Sequence, residues 1–378
     1  MVYLDNSATS RFKPQQMIEA MAQELKFSTN SNRGIYKESL ASAQKILQTR
    51  DLLKDIVGAN DEYQTIFTSN CTEALNLGIF GYINTLNYPI NVVTTVFEHN
   101  STLRPLYELQ RQKKITMTVA FPNKAGVINA QQLEKFVSPQ TKMLVINCTS
   151  NVTGNTCDLA SIGAFAKKNN MVFLLDTAQA LGHISIDASL NNIDMLAIAG
   201  HKGLHGPQGI GALVVKNDIN LKPIIYGGNG VSSSKLYMPL IKPEAYECGT
   251  LNTPAIIGLK ESLIWTKANL FNIKNLIDYL AEKLWVYLAQ NNQIQLYSPS
   301  GSNVIAFNVK NFTSSEVGDF LNQNDIAVRA GLHCAPLAHN YLNTLDRGAV
   351  RVSIGYNNDI RDINLLINAL DKLIETSK

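Results

Sequence analysis

Short apolar runs, rich in β-branched residues, alternate with helix-like segments between residues 65 and 215. Six of these runs predict strands, at residues 64–68, 91–95, 143–147, 171–175, 195–199 and 211–215. Helix-like segments lie between them, most clearly at residues 71–82, 102–112 and 159–168. Regular alternation of strands and helices is typical of a parallel sheet covered by helices, so we expect an α/β fold.

The pattern changes towards the end of the chain. Residues 226–243 are rich in Gly, Ser and Pro and have weak periodicity, which predicts an exposed excursion. Beyond it, helices are predicted at residues 259–290, 314–324 and 359–375, and strands at residues 303–309 and 350–354. This mixture indicates a smaller α+β domain at residues 260–378. A larger domain at residues 14–259 would precede it, joined by an N-terminal segment at residues 1–13.

Composition and charge argue against several kinds of partner. The chain has 378 residues, of which 45% are hydrophobic and 17% charged, enough for a large buried core. The net charge of +3 comes with no block of like charges, which disfavours nucleic acid and anionic membrane surfaces. No apolar run approaches the roughly 18 residues of a membrane span. Asp5 and Asn6 interrupt the stretch where a signal peptide would be apolar, so we expect a cytoplasmic location.

The cysteines are scattered and odd in number. They are Cys71, Cys148, Cys157, Cys248 and Cys334. No C-x-x-C pair is present, which argues against a disulfide framework and against a four-cysteine zinc site. We therefore expect reduced thiols, and a cysteine that takes part in chemistry would act alone.

Two candidate catalytic side chains follow predicted strands, at the sheet edge where doubly wound folds bind ligands. The run MVFLLDTAQ places Asp176 at a strand tip, and MLAIAGHKGLHGPQGIG places Lys202 in a glycine-rich turn. A partly desolvated lysine can form a Schiff base with a carbonyl cofactor. Pyridoxal phosphate also needs a carboxylate beside its pyridinium nitrogen. Asp176 and Lys202 would supply both roles, although a turn-capping aspartate and a solvated lysine would give the same pattern.

A phosphate site is predicted at the start of a helix in FTSNCTEALNLGIFGY. Residues 69–72 follow a strand there, and the free N–H groups and dipole of the helix that begins after them favour an anion. An ordinary capped helix has the same pattern. The sequence has no G-x-x-x-x-G-K-[ST] motif, and Gly209 and Gly211 lead into a strand. Neither an NTPase nor a Rossmann dinucleotide site is therefore supported.

Two further polar residues follow strand tips. His99, in TTVFEHNST, offers a flat imidazole that could stack on a cofactor ring or cap a helix. Asn151, in CTSNVTG, could donate to the cofactor's phenolic oxygen or serve as a turn residue.

Cys334 lies in the segment RAGLHCAPLAH, close to His333 and Arg329, and Arg351 follows in VRVSIGY. A buried cysteine is more often an inert small hydrophobe. This segment, however, is too polar and too rich in helix and strand breakers for a core strand, and nearby cations would favour the nucleophilic thiolate. An arginine fork would suit a substrate carboxylate.

Taken together, these motifs resemble the class V aminotransferase family and, within it, the cysteine desulfurases. The resemblance runs from YLDNSAT to VRVSIGYNN, and its most specific parts are DTAQ, GHKGLHGPQGIG and RAGLHCAP in that order. It implies pyridoxal phosphate as cofactor and a fold type I architecture. In that architecture a large domain with a mainly parallel seven-stranded sheet is followed by a smaller α+β domain. It also implies a homodimer with the active site between subunits.

The resemblance assigns roles residue by residue. Lys202 matches the Schiff-base lysine, Asp176 the pyridinium partner and His99 the stacking ring. Cys334 matches the catalytic cysteine. The remaining matches are Gln179 and Asn151 near the phenolic oxygen and substrate, Cys71, Thr72 and His201 on the phosphate side, Thr250 reaching the phosphate of the partner subunit, and Arg351 with Arg329 for the substrate carboxylate.

Three positions depart from the family pattern. Ala199 stands where many relatives have a hydroxyl residue that touches the phosphate, Tyr36 where histidine is frequent, and Leu332 where a second histidine precedes His333. These departures bear on substrate preference and on the sulfur acceptor. The short segment around Cys334 is similar to that of the second desulfurase group, which includes the selenocysteine lyases.

The sequence thus favours a cysteine desulfurase that converts L-cysteine to L-alanine and holds the sulfur as a persulfide on Cys334, for transfer to an acceptor protein. A selenocysteine lyase, another class V aminotransferase and a β-elimination lyase are alternatives with the same cofactor. A non-catalytic protein that binds the cofactor or a metal is disfavoured. His201 and His205 have a helical metal-ligand spacing, but Gly203 and Pro207 make a helix there improbable.

Overall fold

The computed structural model of the chain describes residues 1–27, 29–31, 34–231, 233–239 and 241–376. Its strands are β1 (Val2–Tyr3), β2 (Tyr63–Thr68), β3 (Ile90–Thr95), β4 (Ile115–Ala120), β5 (Thr141–Asn147), β6 (Val172–Asp176), β7 (Met195–Ala199), β8 (Gly211–Lys216), β9 (Ile294–Leu296), β10 (Val304–Val309), β11 (Ile326–Ala327), β12 (Arg329–Gly331) and β13 (Ala349–Ser353). Its helices are α1 (Gln15–Lys26), α2 (Lys37–Ile56), α3 (Cys71–Ile83), α4 (Asn100–Arg111), α5 (Ala130–Glu134), α6 (Leu159–Lys168), α7 (Thr253–Gln290), α8 (Ser314–Gln323), α9 (Pro336–Tyr341) and α10 (Ile360–Glu375).

Seven strands form the main sheet, in the order β2-β8-β7-β6-β5-β3-β4. Strand β8 runs antiparallel to both of its neighbours, and the other pairs are parallel. Strands β6 and β7 are buried along their whole length, which is why their sequences are continuous apolar runs. The expected α/β fold with a mainly parallel seven-stranded sheet is confirmed.

The six strands expected from the sequence all belong to this sheet, with ends within two residues of the predicted ones. The sequence pattern does not single out the seventh strand, β4, which lies at the edge of the sheet. Ile115 and Ala120 at its two ends are buried, but the residues between them are partly exposed and include two threonines. An edge strand of this kind has no continuous apolar run to reveal it.

The helices that cover the sheet begin at side-chain caps. Helix α3 follows Asn70, whose side chain accepts the backbone N–H of Glu73. Helix α4 starts at Asn100, two residues before the predicted position, because the His99 side chain accepts the N–H of Ser101. Helices α1 and α2, which the sequence pattern did not indicate, pack against α7.

A second, antiparallel sheet has the order β12-β13-β10-β9, and β1 pairs with β11 in a short parallel ribbon. Helices α8 and α10 help to cover it, and its core includes Phe307 and Leu370. Helix α7 runs unbroken through residue 260 and contributes Leu259 to the core of the main sheet and Leu284 to the core of the second. The predicted division between residues 259 and 260 therefore falls inside a helix, and it stays a prediction.

The predicted exposed excursion is confirmed for residues 226–231, 233–239 and 241–243, which form no helix or strand. Leu236 and Tyr237 within it are 98% and 88% exposed. Across the part of the chain that the structure describes, no helix combines the length and the apolar character needed to cross a bilayer.

Candidate active site

The carboxyl ends of the parallel strands β3, β5, β6 and β7 meet at a cavity of about 200 Å³. Eight of the predicted site residues line it, namely Cys71, Thr72, His99, Asn151, Asp176, Gln179, His201 and Lys202. They are far apart in sequence, and they meet because parallel strands end at the same edge of the sheet. The cavity is therefore where the strand-tip argument expects a ligand.

Lys202 lies in the turn after β7 and contributes to the cavity wall. Desolvation lowers the pKa of its ammonium below the ordinary value, and the neighbouring negative charge of Asp176 opposes this shift. A lowered pKa increases the fraction of neutral amine near neutral pH. Neutral amine is the form that attacks a carbonyl carbon or accepts a proton.

Asp176, the last residue of β6, is 5% exposed. Burial raises the pKa of its carboxyl, while the N–H of Ala178 and the positive charge of Lys202 act in the opposite direction. Its Oδ1 accepts hydrogen bonds from the Ala178 N–H at 2.9 Å and from the Cys71 thiol at 3.6 Å. Within the described chain, Oδ2 makes no hydrogen bond, so it can accept a proton or an N–H from a ligand.

The Cys71 thiol is buried against Asp176. Desolvation raises the pKa of this thiol well above its ordinary value, and the negative charge of Asp176 raises it further. The sequence suggested a phosphate-side role for Cys71, and that role stays a prediction. Thr72 is exposed at the start of α3, where the free N–H groups of the first turn are available to an anion.

His99 caps α4, and it also lines the cavity, where its stacking on a cofactor ring stays a prediction. Its Nδ1 accepts the backbone N–H of Ser101 at 3.1 Å, which leaves the proton of the neutral ring on Nε2. Desolvation, followed by the positive charge of Lys202, lowers the pKa of His99 to about 4. The ring is therefore neutral at neutral pH, as a flat stacking partner for an aromatic ligand should be.

Asn151 and Gln179, the two amide side chains expected near the phenolic oxygen of the cofactor, each donate one N–H to a backbone carbonyl. Asn151 donates through Nδ2 to the carbonyl of His333 at 2.7 Å, and its buried Oδ1 has no partner among the described residues. Gln179 donates through Nε2 to the carbonyl of Ser7 at 3.1 Å. Each amide group keeps a second N–H that is available to a ligand.

Arg351, on β13, is 2% exposed and does not itself line the cavity, but it binds Asn151, which does. Its Nη1 donates to the carbonyl of Asn151 at 3.0 Å, and its Nη2 donates to Asp5 Oδ1 at 2.7 Å. Its buried Nε has no partner within the described chain. An unpaired donor on a buried guanidinium is costly unless an anionic ligand supplies an acceptor.

Cys334 is exposed in the segment between β12 and α9. It lines an outer recess of about 380 Å³ that shares Thr72, His99 and Ser101 with the main cavity, so the thiol lies at the cavity mouth. Its φ of 57° lies in the left-handed region, which is uncommon for a residue with a side chain. The carbonyl of Cys334 accepts the N–H of Asn100 at 2.7 Å, which attaches this segment to the start of α4.

Arg329 and Thr250 lie outside the main cavity. Arg329, on β12, pairs in register with Arg351 on β13. Thr250 is exposed and lines a separate recess of about 250 Å³ together with Ser69 and Glu73. A single chain thus does not bring Thr250 to Lys202, and its suggested role in the partner subunit's site stays a prediction.

The positions that depart from the family pattern lie in different surroundings. Ala199 lines the cavity and presents only a methyl group there. Tyr36 precedes α2 and is half-exposed, and Leu332 is 40% exposed just before His333. Of the three, Ala199 alone lines the cavity.

Five residues that were not predicted as site residues complete the site. Ser101, Asn147, Thr149 and Ala178 line the cavity, and Asp5 binds Arg351. The four lining residues belong to motifs that were singled out or lie next to them, so their place at or beyond a strand end was available as a signal. Asn70, in the predicted phosphate site at residues 69–72, also lines the cavity. Asp5 gives no such signal, because its contact with Arg351 spans 346 residues.

The donor set of the cavity fits pyridoxal phosphate. Asp176 Oδ2 can hold a protonated ring nitrogen, the neutral imidazole of His99 can stack on a ring, and the start of α3 can hold a phosphate. The alternative of a metal site formed by His201 and His205 is not supported, because the two rings contact different residues. The His201 ring contacts Thr9, whereas the His205 ring contacts Thr266. Among the residues that the structure describes, no three His, Cys, Asp or Glu side chains lie close enough to hold a metal ion.

Similarity to known proteins extends over nearly the whole chain. The family model for class-V aminotransferases matches residues 2–366. A probable cysteine desulfurase of Borreliella burgdorferi is 32% identical over 99% of this chain and 92% of its own length. The solved apo structure of the cysteine desulfurase of Thermococcus onnurineus has a TM-score of 0.90 at 29% identity, covering 99% of this chain and 95% of that one. The cysteine desulfurase CsdA of Escherichia coli has a TM-score of 0.88 at 27% identity, covering 99% and 94%.

A mainly parallel α/β sheet with a lysine and a carboxylate at its strand tips fits an enzyme that depends on pyridoxal phosphate. The chain belongs to the class-V aminotransferase family, and the resemblance drawn from its motifs is confirmed. The named relatives and structural neighbours are cysteine desulfurases.

Proposed function

We propose that this chain is a pyridoxal-phosphate-dependent cysteine desulfurase, which converts L-cysteine to L-alanine and holds the sulfur as a persulfide on Cys334. One observation carries the proposal. Lys202 and Asp176 line a cavity at the strand tips, and an exposed cysteine lies at the mouth of the same cavity. An aminotransferase needs the first two groups, whereas sulfur capture needs the thiol as well.

Four groups of the cavity would hold the cofactor. Asp176 Oδ2 would bind the ring nitrogen, the His99 ring would lie against the ring face, and Thr72 with the first N–H groups of α3 would bind the phosphate. Pyridoxal phosphate, when bound, withdraws electrons from the Cα of the amino acid substrate. Ala199 offers no hydroxyl, so we expect the phosphate to depend more on Thr72 and the helix N–H groups.

Lys202 would act as the anchor of the cofactor and as the base. Its pKa is lowered by desolvation, which increases the fraction of neutral amine that can remove the Cα proton of the substrate. The same nitrogen can later return a proton to the substrate. Arg351 would orient the substrate, because its Nε–H has no hydrogen-bond partner within the described chain and could donate to an oxygen of the substrate carboxylate.

Cys334 would receive the sulfur. The Cys334 thiolate attacks the substrate sulfur, so that a sulfur–sulfur bond forms while the substrate's Cβ–S bond breaks and its electron pair stays with the substrate. A proton then completes the methyl group of L-alanine, and Cys334 carries the persulfide. An acceptor thiol can take the outer sulfur by the same exchange that moves disulfides.

Three further expectations belong to this proposal. We propose a homodimer in which Thr250 reaches the phosphate of the partner subunit's site, which agrees with its exposure and with its place in a recess that Lys202 does not line. We propose a protein acceptor for the sulfur, because Cys334 is exposed at the cavity mouth. We also propose a cytoplasmic location, where reduced thiols persist.

Turnover of the purified holoenzyme tests the proposal. With L-cysteine we expect alanine and sulfane sulfur in equal amounts, and Cys334→Ser should abolish both while borohydride still traps the cofactor on Lys202. Cys157→Ser is the control, because Cys157 is partly exposed but lines neither the main cavity nor the recess of Cys334. Unchanged sulfur release by the Cys334→Ser variant would refute the proposal.

The same assay separates the alternatives. Pyruvate and ammonia in place of alanine would indicate a β-elimination lyase. Turnover of L-selenocysteine without turnover of L-cysteine would indicate a selenocysteine lyase. A protein that binds the cofactor without any turnover would be non-catalytic.

A further inference from the structure

Lys13 places its ammonium against the turn that carries Lys202, although it belongs to the N-terminal segment before α1. Its Nζ donates to the carbonyls of His201 at 3.1 Å and Gly206 at 2.7 Å, and to Ser10 Oγ at 2.9 Å. These three acceptors match the three N–H groups of an ammonium. The ion pairs formed by the described residues do not include Lys13, and burial alone lowers its pKa to about 8.

A partly buried ammonium without a counter-ion is costly unless oriented dipoles replace its water shell. Backbone carbonyls supply those dipoles here. The carbonyl of His201 also accepts the Ser10 N–H at 3.1 Å and the Thr9 hydroxyl at 3.3 Å. The carbonyl directly before Lys202 is therefore held by several donors, all of which come from the N-terminal segment.

The turn itself offers little to fix these carbonyls. His205 has a left-handed φ of 57°, and its N–H donates back to the carbonyl of Lys202 at 2.9 Å. The carbonyls of His201 and Gly206 point instead to Lys13. The His201 carbonyl belongs to the planar peptide that joins His201 to Lys202, so holding it in place also holds the N and Cα atoms from which the Lys202 side chain starts.

We propose that Lys13 is a positioning residue of the active site. Its ammonium binds a carbonyl on each side of Lys202 and thereby fixes the orientation from which Lys202 enters the cavity. Lys13 does not touch the substrate, and it acts through the backbone of the turn. This inference rests on the proposed function only in that Lys202 must be the reacting amine.

The chain contains a matched control in Lys242. Its Nζ also donates to three backbone carbonyls, those of Lys216 at 3.0 Å, Asn217 at 3.0 Å and Ile219 at 2.6 Å. Burial lowers the pKa of Lys242 too. These carbonyls belong to the last residue of β8 and the segment that follows it, and none of the three residues lines the cavity. Lys242→Met therefore removes the same kind of contact from a turn without a reacting group.

The first experiment compares Lys13→Met and Lys242→Met as holoenzymes. We expect Lys13→Met to lower kcat by about 10- to 100-fold with little change in KM for L-cysteine, because a displaced reacting group costs rate more than binding. Backbone hydrogen exchange should become faster at residues 200–206 in Lys13→Met and at residues 216–219 in Lys242→Met. Lys242→Met should keep its kcat. A kcat for Lys13→Met within about twofold of wild type, or an equal loss in both variants, would overturn the proposal.

The second experiment tests whether the charge is needed. Lys13→Ala removes three methylene groups and the ammonium, and n-propylammonium supplies the same atoms. We expect it to restore kcat and slow exchange at residues 200–206 in a saturable manner, whereas n-propanol should restore neither. No recovery with n-propylammonium, or equal recovery with n-propanol, would overturn the proposal. If the wild type made no alanine, the proposed function would fail, while the exchange data would still test Lys13.

Discussion

The thiol of Cys71 donates a hydrogen bond to Asp176 Oδ1 at 3.6 Å inside the cavity. Together with the Ala178 N–H, it occupies one carboxylate oxygen and leaves the other for a ligand. Burial raises the pKa of Asp176, and this hydrogen bond opposes the rise. Cys71 thus helps a buried carboxyl to stay ionised, which is the state that a protonated ring nitrogen requires.

Cys71→Ala should therefore move the acid limb of the kcat profile to higher pH. Removing the donor lets the pKa of Asp176 rise further, so protonation inactivates the enzyme at a higher pH. Near the acid limb we expect a loss of about fivefold in kcat, the equivalent of one hydrogen bond of about 1 kcal/mol. Cys71→Ser keeps a hydrogen-bond donor to Asp176, so the acid limb of its kcat profile should lie at the same pH as in the wild type or at a lower pH. Identical profiles for all three proteins would contradict the coupling.

Arg351→Lys should raise KM for L-cysteine by about 10- to 100-fold. The planar guanidinium can bind Asp5, the Asn151 carbonyl and a substrate carboxylate at the same time, whereas the compact ammonium of lysine cannot. The variant should also lose its preference for cysteine over cysteamine, which has no carboxylate. Steady-state kinetics with both compounds measure this. Arg347→Lys is the control, since Arg347 donates to the carbonyls of Val309 and Phe312. An unchanged preference in Arg351→Lys would refute the assignment.

The polar residues at the strand tips could be predicted from the sequence because parallel strands end at one edge of a sheet. That argument needs only the order of apolar runs, and it found Asp176, Lys202 and His99. It gives no side-chain direction, so it did not reveal that the Cys71 thiol turns to Asp176 across the cavity. Nor could it find the contact of Asp5 with Arg351, which joins the two ends of the chain.

The local sequence pattern also could not predict the structure at the two edges of the main sheet. Strand β4 has no continuous apolar run, and the outer edge of β2 is closed by an ion pair between distant residues. Arg50 donates to the Thr65 carbonyl at 2.6 Å, and Glu247 accepts the Phe67 N–H at 2.6 Å. The two side chains also bind each other through two hydrogen bonds of 2.7 and 2.6 Å.

Arg50→Met should lower the free energy of unfolding by about 3–5 kcal/mol, because it leaves the carboxylate of Glu247 buried without its partner. Adding Glu247→Gln should recover part of this loss, since the amide carries no charge and can still accept the Phe67 N–H. Urea unfolding of the single and double variants measures both effects. Arg361→Met breaks an exposed ion pair and should change the free energy of unfolding far less than Arg50→Met does. A loss in Arg50→Met no larger than that control would be inconsistent with a buried pair.

Acid should destabilise the protein steeply, because the folded chain keeps its histidines neutral. Burial lowers the pKa of all six, to about 4 for His99, His183 and His201, to about 3 for His205, to about 2 for His333, and to a lower value for His339. An unfolded histidine has a pKa of about 6.5, so between pH 6.5 and 4 the unfolded chain binds protons that the folded chain does not. Stability therefore rises with pH across this window and falls as the pH is lowered through it.

One buried carboxyl group acts in the opposite direction. Burial raises the pKa of Glu98 to about 8, so the folded chain holds a proton there that the unfolded chain releases. The five histidines with a pKa of about 4 or below outnumber this carboxyl, so near pH 5.5 the unfolded chain should bind roughly four more protons than the folded one. The free energy of unfolding at pH 7, 6 and 5, from urea titrations, measures the slope. His205→Gln should lower that slope by about one proton, or roughly 1.4 kcal/mol per pH unit, whatever it does to stability at pH 7. A slope unaffected by this substitution, or a protein that becomes more stable as the pH falls from 6.5 to 5, would show that the histidines are not held neutral by the fold.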